Sequence, residues 1–303
     1  MFLVTGATGF VGTSVVNTLR QRDLPFRAAS RSAREDFIGV GDIGASTDWQ
    51  TALSGVDTVI HLAAHNQDIM AGDQGSDDKM RSVNVDGTVR LAQQSVECGV
   101  RRFVFISTIK VNGERSEPGR PFTAHDRPAP ETAYGRSKLE AENRLMDIAT
   151  ASGMELVIVR PPLVYGKAAK GSFKALVKLV KSGLPLPLRS VRNHRSVIHV
   201  DNLADLIITA AMSPSAHGHI LMAADGAALS TADFVRKIAA ASGRRAVLLP
   251  VPASVLQTIG RVAGKTDMVA RLIDSLEADI TETENRLSWK PPFSTDEGLR
   301  RSV

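Results

Sequence analysis

The chain has 303 residues, 43% hydrophobic, with 37 Lys and Arg against 32 Asp and Glu for a net charge of +5, enough length to bury a large core. Its single cysteine, Cys98, excludes an intrachain disulfide framework, and no apolar run nears the roughly 20 residues that span a bilayer. Aromatics are few, at 5%, and the basic residues read as scattered, so anionic small molecules account for the charge as well as nucleic acid would, and no nucleic-acid partner is expected.

In chain order, Met1–Val4 is a short apolar run with no charged-then-apolar leader before it, which suggests a cytoplasmic chain without membrane insertion. Thr5-Gly6-Ala7-Thr8-Gly9-Phe10-Val11-Gly12 comes next, then a stretch to Arg20 with apolar positions at helical spacing: strand, tight turn, helix. One glycine permits the turn, one lets backbone N–H groups approach a pyrophosphate, and one lets the helix pack closely on the strand. Gly-rich turns are also ordinary punctuation, and GxxGxxG is a variant of the dinucleotide fingerprint, so the weight lies in its place between strand and helix.

Pro25–Ser30, Phe37–Val40 and Asp57–Leu62 read as further strands, and Lys79–Gly99 as one long helix closed by Gly99. Arg102–Ile106 is a fifth strand, 114–130 a Pro-rich loop, Ala133–Ser152 a helix ended by Gly153, and Leu156–Val159 a sixth strand. Near-continuous apolar strands alternating with helices predict an α/β fold, a doubly wound Rossmann parallel sheet over residues 1–162. A smaller, mixed C-terminal substrate lobe over 163–303 follows, with 191–215 returning to the first domain. Its candidate helices are Phe173–Lys181, Asp201–Met212, Thr231–Ala241, Ala253–Val262 and Met268–Leu276.

The end of the second strand bears on the cofactor. Asp or Glu there suits NAD, whereas Arg meets the 2′-phosphate of NADP. Here Ala29-Ser30-Arg31-Ser32 has no acid until Glu35, which favours NADP with NAD possible. The plain alternative is that Arg31 and Arg34 are solvated loop charges. Asp42-Ile43 is placed where a carboxylate can meet an adenine amino group, or is an ordinary turn.

Tyr134-Gly135-Arg136-Ser137-Lys138 sets a phenol and an ammonium one helical turn apart on one face. An ammonium that close lowers a phenol's pKa and can bond a ribose. The strand ending in Ser107-Thr108 offers hydroxyls to polarise a substrate oxygen. No G-x-S-x-G elbow or Ser–His–Asp order appears.

Several ordered motifs resemble one family. TGATGFVG, Val59–Ala64, Asn84–Thr88, FISTIKVNG at 105–113 and YGRSK at 134–138, then Arg160–Gly166 and Arg195–Ala204, are similar to the extended short-chain dehydrogenase/reductases in their nucleotide-sugar branch. The resemblance runs to about Ser213 and returns at Leu287–Pro292. It implies Tyr134 as general acid/base, Lys138 as its modulator and ribose anchor, and Thr108 as hydroxyl partner with Ser107 beside it. Gly6, Thr8, Gly9, Phe10, Val11 and Gly12 would cradle the dinucleotide, with Leu62, Ala63 and Ala64 in the groove. Asn84, Pro161 and Leu163 would lie near the nicotinamide. Arg195 becomes the expected ligand of a UDP-sugar diphosphate, with Lys110 and Asn112 further substrate contacts.

Two activities are compatible with that branch. Val111-Asn112-Gly113 replaces the Val-Tyr-Gly of sugar epimerases and looks more like reductases of UDP-4-keto-6-deoxy-N-acetylhexosamines in surface-polysaccharide synthesis. The alternative is a UDP-glucose or UDP-N-acetylglucosamine 4-epimerase with tightly bound NAD. A dehydratase wants an Asp-Glu pair where the chain has Thr108-Ile109, and a non-catalytic NADP-binding redox sensor commonly loses the Tyr or Lys present here.

Elsewhere, His61 reads as a structural histidine, the other six are dispersed, and no metal is expected. Asp77-Asp78 suits a helix N-terminus, and Cys98 reads as a small buried residue. A homodimer through the helices 79–99 and 133–152 is expected, with Val85, Val89 and Ala92 facing either a partner or the core.

Overall fold

The computed structural model describes residues 1–66 and 74–303. The strands are β1 (Phe2–Thr5), β2 (Phe26–Ser30), β3 (Phe37–Gly39), β4 (Thr58–His61), β5 (Arg102–Ile106), β6 (Glu155–Arg160), β7 (Leu163–Tyr165), β8 (Val197–His199) and β9 (Ile220–Met222). Seven make one sheet in the order β3-β2-β1-β4-β5-β6-β9, with every pairing parallel, and β7 and β8 form a separate parallel pair. Strand order reverses between β1 and β4, the switch point at whose carboxyl edge such sheets bind ligands.

The helices of the first half are α1 (Phe10–Gln21), α2 (Gln50–Leu53), α3 (Gln74–Arg81), α4 (Gly87–Glu97) and α5 (Ala133–Ser152). Those that follow are α6 (Ser172–Lys181), α7 (Val200–Met212), α8 (Thr231–Ala241), α9 (Ala253–Val262), α10 (Thr266–Ile273), α11 (Thr281–Leu287) and α12 (Thr295–Ser302). Burial of β4 and β5 at every position requires both faces to be covered. One face packs Val15, Val16 and Leu19 of α1 with Leu203, Ile207 and Ile208 of α7. The other packs α2, α4 and α5 through Leu53, Leu91, Ala141 and Leu145. Ser14 donates to Asp201 at 2.6 Å, tying α1 to α7 across 187 residues.

The predicted helix 79–99 differs in form. It begins at Gln74 and is broken by a π-helical turn over Ser82–Asp86 before α4 continues. Asn84 and Thr88 account for the widening. Thr88 Oγ1 donates back to the Asn84 carbonyl at 2.8 Å, and the Asn84 amide is drawn into the site described below. Val85 and Ala92 are buried against the core, leaving Val89 half-buried. Cys98, expected in the interior, is exposed, because the buried face of α4 ends at Ser95 and the cysteine lies in the cap.

Beyond β6, a third core gathers Tyr165, Phe173, Val180, Phe234 and Leu256 from β7, α6, α8 and α9. Three-residue strands such as β7, β8 and β9 carry too little period-2 signal to be read in advance.

Candidate active site

The turn between β1 and α1 is built by contact. Gly6 has φ +63°, and a Cβ there would lie 2.6 Å from the Ala63 nitrogen at the end of β4. A Cβ on Gly12 would run into the Gly6 carbonyl oxygen, so the first turn of α1 rests directly on the strand end. Gly9 caps α1 without a side-chain hydrogen bond, and no acid stands in the first turn. The N–H groups of Phe10, Val11 and Gly12 therefore face the crevice beside exposed Thr8, with the positive end of the helix dipole. Phe10 also reaches the second lobe, since its ring meets Gly166 and packs on the third core.

A buried polar chain runs beneath the turn. Thr5 Oγ1 lies 2.6 Å from His61 Nδ1, and His61 Nε2 lies 2.9 Å from Thr88 Oγ1. Burial first, and then the charge of Lys138, push the imidazole down to about 3, so it is neutral and structural. Asn84 donates to Ser137 Oγ at 3.0 Å and to the His65 carbonyl, and accepts from the His65 N–H. Ser137 in turn donates to the Tyr134 carbonyl. Asn84 thus fixes the helix that carries Tyr134 and Lys138 against the β4 loop, with its amide fully engaged.

Thr132 caps α5 by accepting from the Gly135 N–H, which sets where Tyr134 and Lys138 begin. Lys138 is 1% exposed, donates to the Ile106 carbonyl at 2.8 Å and lies 4.4 Å over the Phe105 ring. Burial brings its ammonium down to about 7, against an upward pull from Glu142. The half-buried Tyr134 hydroxyl has no hydrogen-bond partner among the described residues, and burial pushes it up to about 12. The expectation that Lys138 lowers the phenol is not met here, because the ammonium is spent on the strand-end carbonyl and the desolvated ring. Ser107 Oγ is buried without a partner at the end of β5. Thr108, 8% exposed, adjoins it and accepts weakly from the Lys110 N–H at 3.3 Å.

Around this centre the predicted residues separate. Leu62, Ala63 and Ala64 follow β4 directly beside Gly6, and Pro161 accepts from the Ile109 N–H at 2.9 Å, clamping the β5 and β6 ends together. Leu163 opens β7 against the third core. Arg31 and Asp42 lie at the β2 and β3 edge and pair with each other at 2.8 Å, both largely exposed. Ile43 is turned inward against Gly87. Lys110 pairs with Glu114 at 3.2 Å.

Asn112 is buried with both amide atoms used, by Arg160 at 3.1 Å and the Thr123 carbonyl at 2.9 Å, so it holds the loop. Arg160 also bonds Glu142 through two contacts in the interior, at 3.0 and 2.5 Å. Arg195 is part-buried and donates to the Asp274 carbonyl at 2.9 Å; desolvation holds its guanidinium below the usual range, with Asp274 and Glu114 countering and Arg271 adding to the effect.

Comparison with known proteins places the chain. The model of the NAD dependent epimerase/dehydratase family matches residues 2–224. The chain belongs to that family. A Vibrio cholerae relative named UDP-glucose 4-epimerase is 42% identical over 307 residues, covering 99% of this chain and 94% of the relative. An Escherichia coli O157:H7 relative named N-acetyl-alpha-D-glucosaminyl-diphospho-ditrans,octacis-undecaprenol 4-epimerase is 24% identical, covering 99% and 93%. Among solved structures, the UDP-N-acetylglucosamine 4-epimerase from Bacillus cereus superimposes with a TM-score of 0.81 at 22% identity, covering 99% of this chain and 96% of that one. The fold is thus that of the extended short-chain dehydrogenase/reductases, and the chain is an enzyme of the NAD dependent epimerase/dehydratase family.

The residues present fit the dinucleotide of that family. The cradle admits no Cβ at Gly6 or Gly12, no side chain caps the α1 N-terminus, and the Ser107 hydroxyl is orphaned at the strand end. Sequence reasoning missed the Thr5–His61–Thr88 chain and the Arg160–Glu142–Asn112 cluster, whose members lie far apart in the chain. It also took the histidines as dispersed, whereas His125 and His219 lie 2.8 and 4.0 Å from Glu282, beside a cavity of about 590 Å³ that β9 and α11 help to line.

Proposed function

We propose that this enzyme is a nucleotide-sugar 4-epimerase, interconverting UDP-linked hexoses such as UDP-glucose and UDP-galactose. The observation that carries the choice is the full-length likeness to the Vibrio cholerae protein of that name. The names of both relatives given above share 4-epimerisation of a sugar borne on a diphosphate. Reduction of a 4-keto sugar, the reading drawn from Lys110–Gly113, loses weight because Lys110 and Asn112 both have structural partners.

When bound, the dinucleotide supplies a hydride acceptor and donor at nicotinamide carbon 4. Around that chemistry Tyr134 Oη takes the proton of the sugar 4-hydroxyl and returns it, and Thr108 Oγ1 hydrogen-bonds the same oxygen. A phenol lying at about 12 needs a positive neighbour to ionise, and Lys138, one turn along α5, becomes that neighbour only when its ammonium leaves the Ile106 carbonyl that it bonds here. The Arg195 guanidinium meets the diphosphate as a planar fork. Gly6, Thr8, Gly9, Phe10, Val11 and Gly12 hold the pyrophosphate, and Ala63, Ala64, Pro161 and Leu163 line the groove. At the adenosine end no acid follows β2 until Glu35, and Arg31 would exchange Asp42 for a 2′-phosphate, so NADP is accepted as well as NAD. The Arg31→Asp enzyme should lose NADP affinity by about ten-fold or more and keep NAD; unchanged NADP affinity removes Arg31 from the site.

The reaction itself is tested by incubating the enzyme with UDP-hexoses and UDP-4-keto sugars while following products and NADPH absorbance. Interconversion of C4 epimers without net NADPH loss is expected. Stoichiometric NADPH consumption, with keto sugars alone, would instead assign a reductase.

A further inference from the structure

Two segments of the second lobe carry all of the chain's positive excess. Residues 166–192 contain seven Lys and Arg and no acid, and residues 242–265 contain four and no acid. Of the 37 basic residues these are eleven, and the 26 that remain face 32 Asp and Glu, so the rest of the chain is net negative. All eleven side chains are exposed, and none forms an ion pair among the described residues. The fold makes the segments neighbours. Leu186 bridges Leu248, Leu186 accepts from the Leu249 N–H at 2.8 Å, and the Arg189 N–H donates to the Leu249 carbonyl at 3.1 Å. Arg244 donates to the Lys181 carbonyl at the end of α6.

Charges read as scattered along the sequence are therefore gathered on one lobe. Exposed apolar side chains stand among them: Leu184 (61%), Val247, Leu249, Val255, Ile259 and Val262 (86%). Singly these need no explanation, but seven, with Leu179 of α6, within two adjoining acid-free segments do.

We propose that this surface docks the enzyme on an anionic lipid bilayer, peripherally, with the apolar tips of the 184–185 and 247–249 loops and of α9 entering the headgroup boundary. The charge complementarity is with lipid phosphate, and the apolar tips decide between polyanions: they gain in the acyl boundary and gain nothing against a nucleic-acid backbone. No helix among the described residues is long and apolar enough to cross a membrane, which leaves surface attachment as the mode. The proposal stands apart from the reading of the reaction, since none of these residues belongs to the active site.

Sedimentation of the full chain with vesicles tests it. Vesicles of phosphatidylcholine with about 30 mol% phosphatidylglycerol should bind the enzyme, and pure phosphatidylcholine should not. Salt at about 0.5 M should release most of it. K174Q/K178Q/K181Q, which touches only exposed side chains, should bind about a hundred-fold more weakly, at roughly five-fold per lysine, with turnover of a soluble substrate unchanged. R261Q/K265Q and I259S/V262S should each weaken binding from the neighbouring segment, so the result does not hang on one variant. Absence of wild-type binding to the anionic vesicles overturns the proposal, as does full binding by the lysine variant. Stronger binding to duplex DNA than to vesicles at equal phosphate overturns it too, and assigns the surface to nucleic acid.

Discussion

The cofactor half and the substrate lobe present polar groups in opposite ways. Beneath the Gly6 turn buried polar groups are paired through short links, Thr5 to His61 to Thr88 and Asn84 to Ser137, while the Ser107 and Tyr134 hydroxyls have no partner among the described residues. In the second lobe Arg195 is held by a carbonyl 79 residues away, and eleven exposed cations form no salt bridge among the described residues. A prearranged, desolvated site suits chemistry that must position one proton and one hydride. A solvated basic face suits attraction of an anionic surface.

That contrast orders the tests. Tyr134→Phe should lower turnover by about a thousand-fold or more while leaving dinucleotide and sugar binding near wild type. Retention of more than a tenth of the activity would move the acid/base role elsewhere in the first half. Gly12→Ala should abolish dinucleotide binding and destabilise the fold by several kcal/mol, because a Cβ has no room against Gly6. Thermal melting and a cofactor titration report both effects, and a wild-type melt would mean the cradle is looser than the contacts show. In the second lobe, Arg195→Gln should raise KM for the sugar nucleotide about ten-fold with little change in kcat, as expected for a group that binds ground and transition states alike. A fall in kcat alone would bring Arg195 into the chemical step.

The smallest effect is a pH slope. Lys138 falls from 10.5 to about 7 on folding, so between those values the unfolded chain binds the extra proton and stability rises with pH. The gain is at most about 1.4 kcal/mol per pH unit, and it should vanish in Lys138→Met. A wild-type slope that survives in the variant would show that Lys138 is not a desolvated group.

The same contrast explains what could be read from the sequence. The Gly6–Gly12 turn, the Gly153 cap and the Tyr134–Lys138 spacing are local, set by backbone geometry within a few residues, and they are legible. The π turn at Ser82–Asp86 is not, since it follows from Asn84 reaching a serine 53 residues on. Asn112 is expected as a substrate contact from the resemblance of its run, whereas its partner Arg160 is 48 residues distant. The basic residues read as scattered, because the adjacency of the two acid-free runs comes from the Leu186–Leu248 pairing.

The central claim is that the chain holds its dinucleotide at the Gly6–Gly12 turn throughout turnover, so that a hydride removed from sugar carbon 4 would be returned to the same sugar. UDP-glucose deuterated at carbon 4 tests it directly, with product analysed by mass spectrometry after partial turnover in the presence of unlabelled free cofactor. The account predicts UDP-galactose that keeps the deuterium at carbon 4. Product that has lost the label to the free cofactor pool, or a keto sugar released in its place, would contradict it.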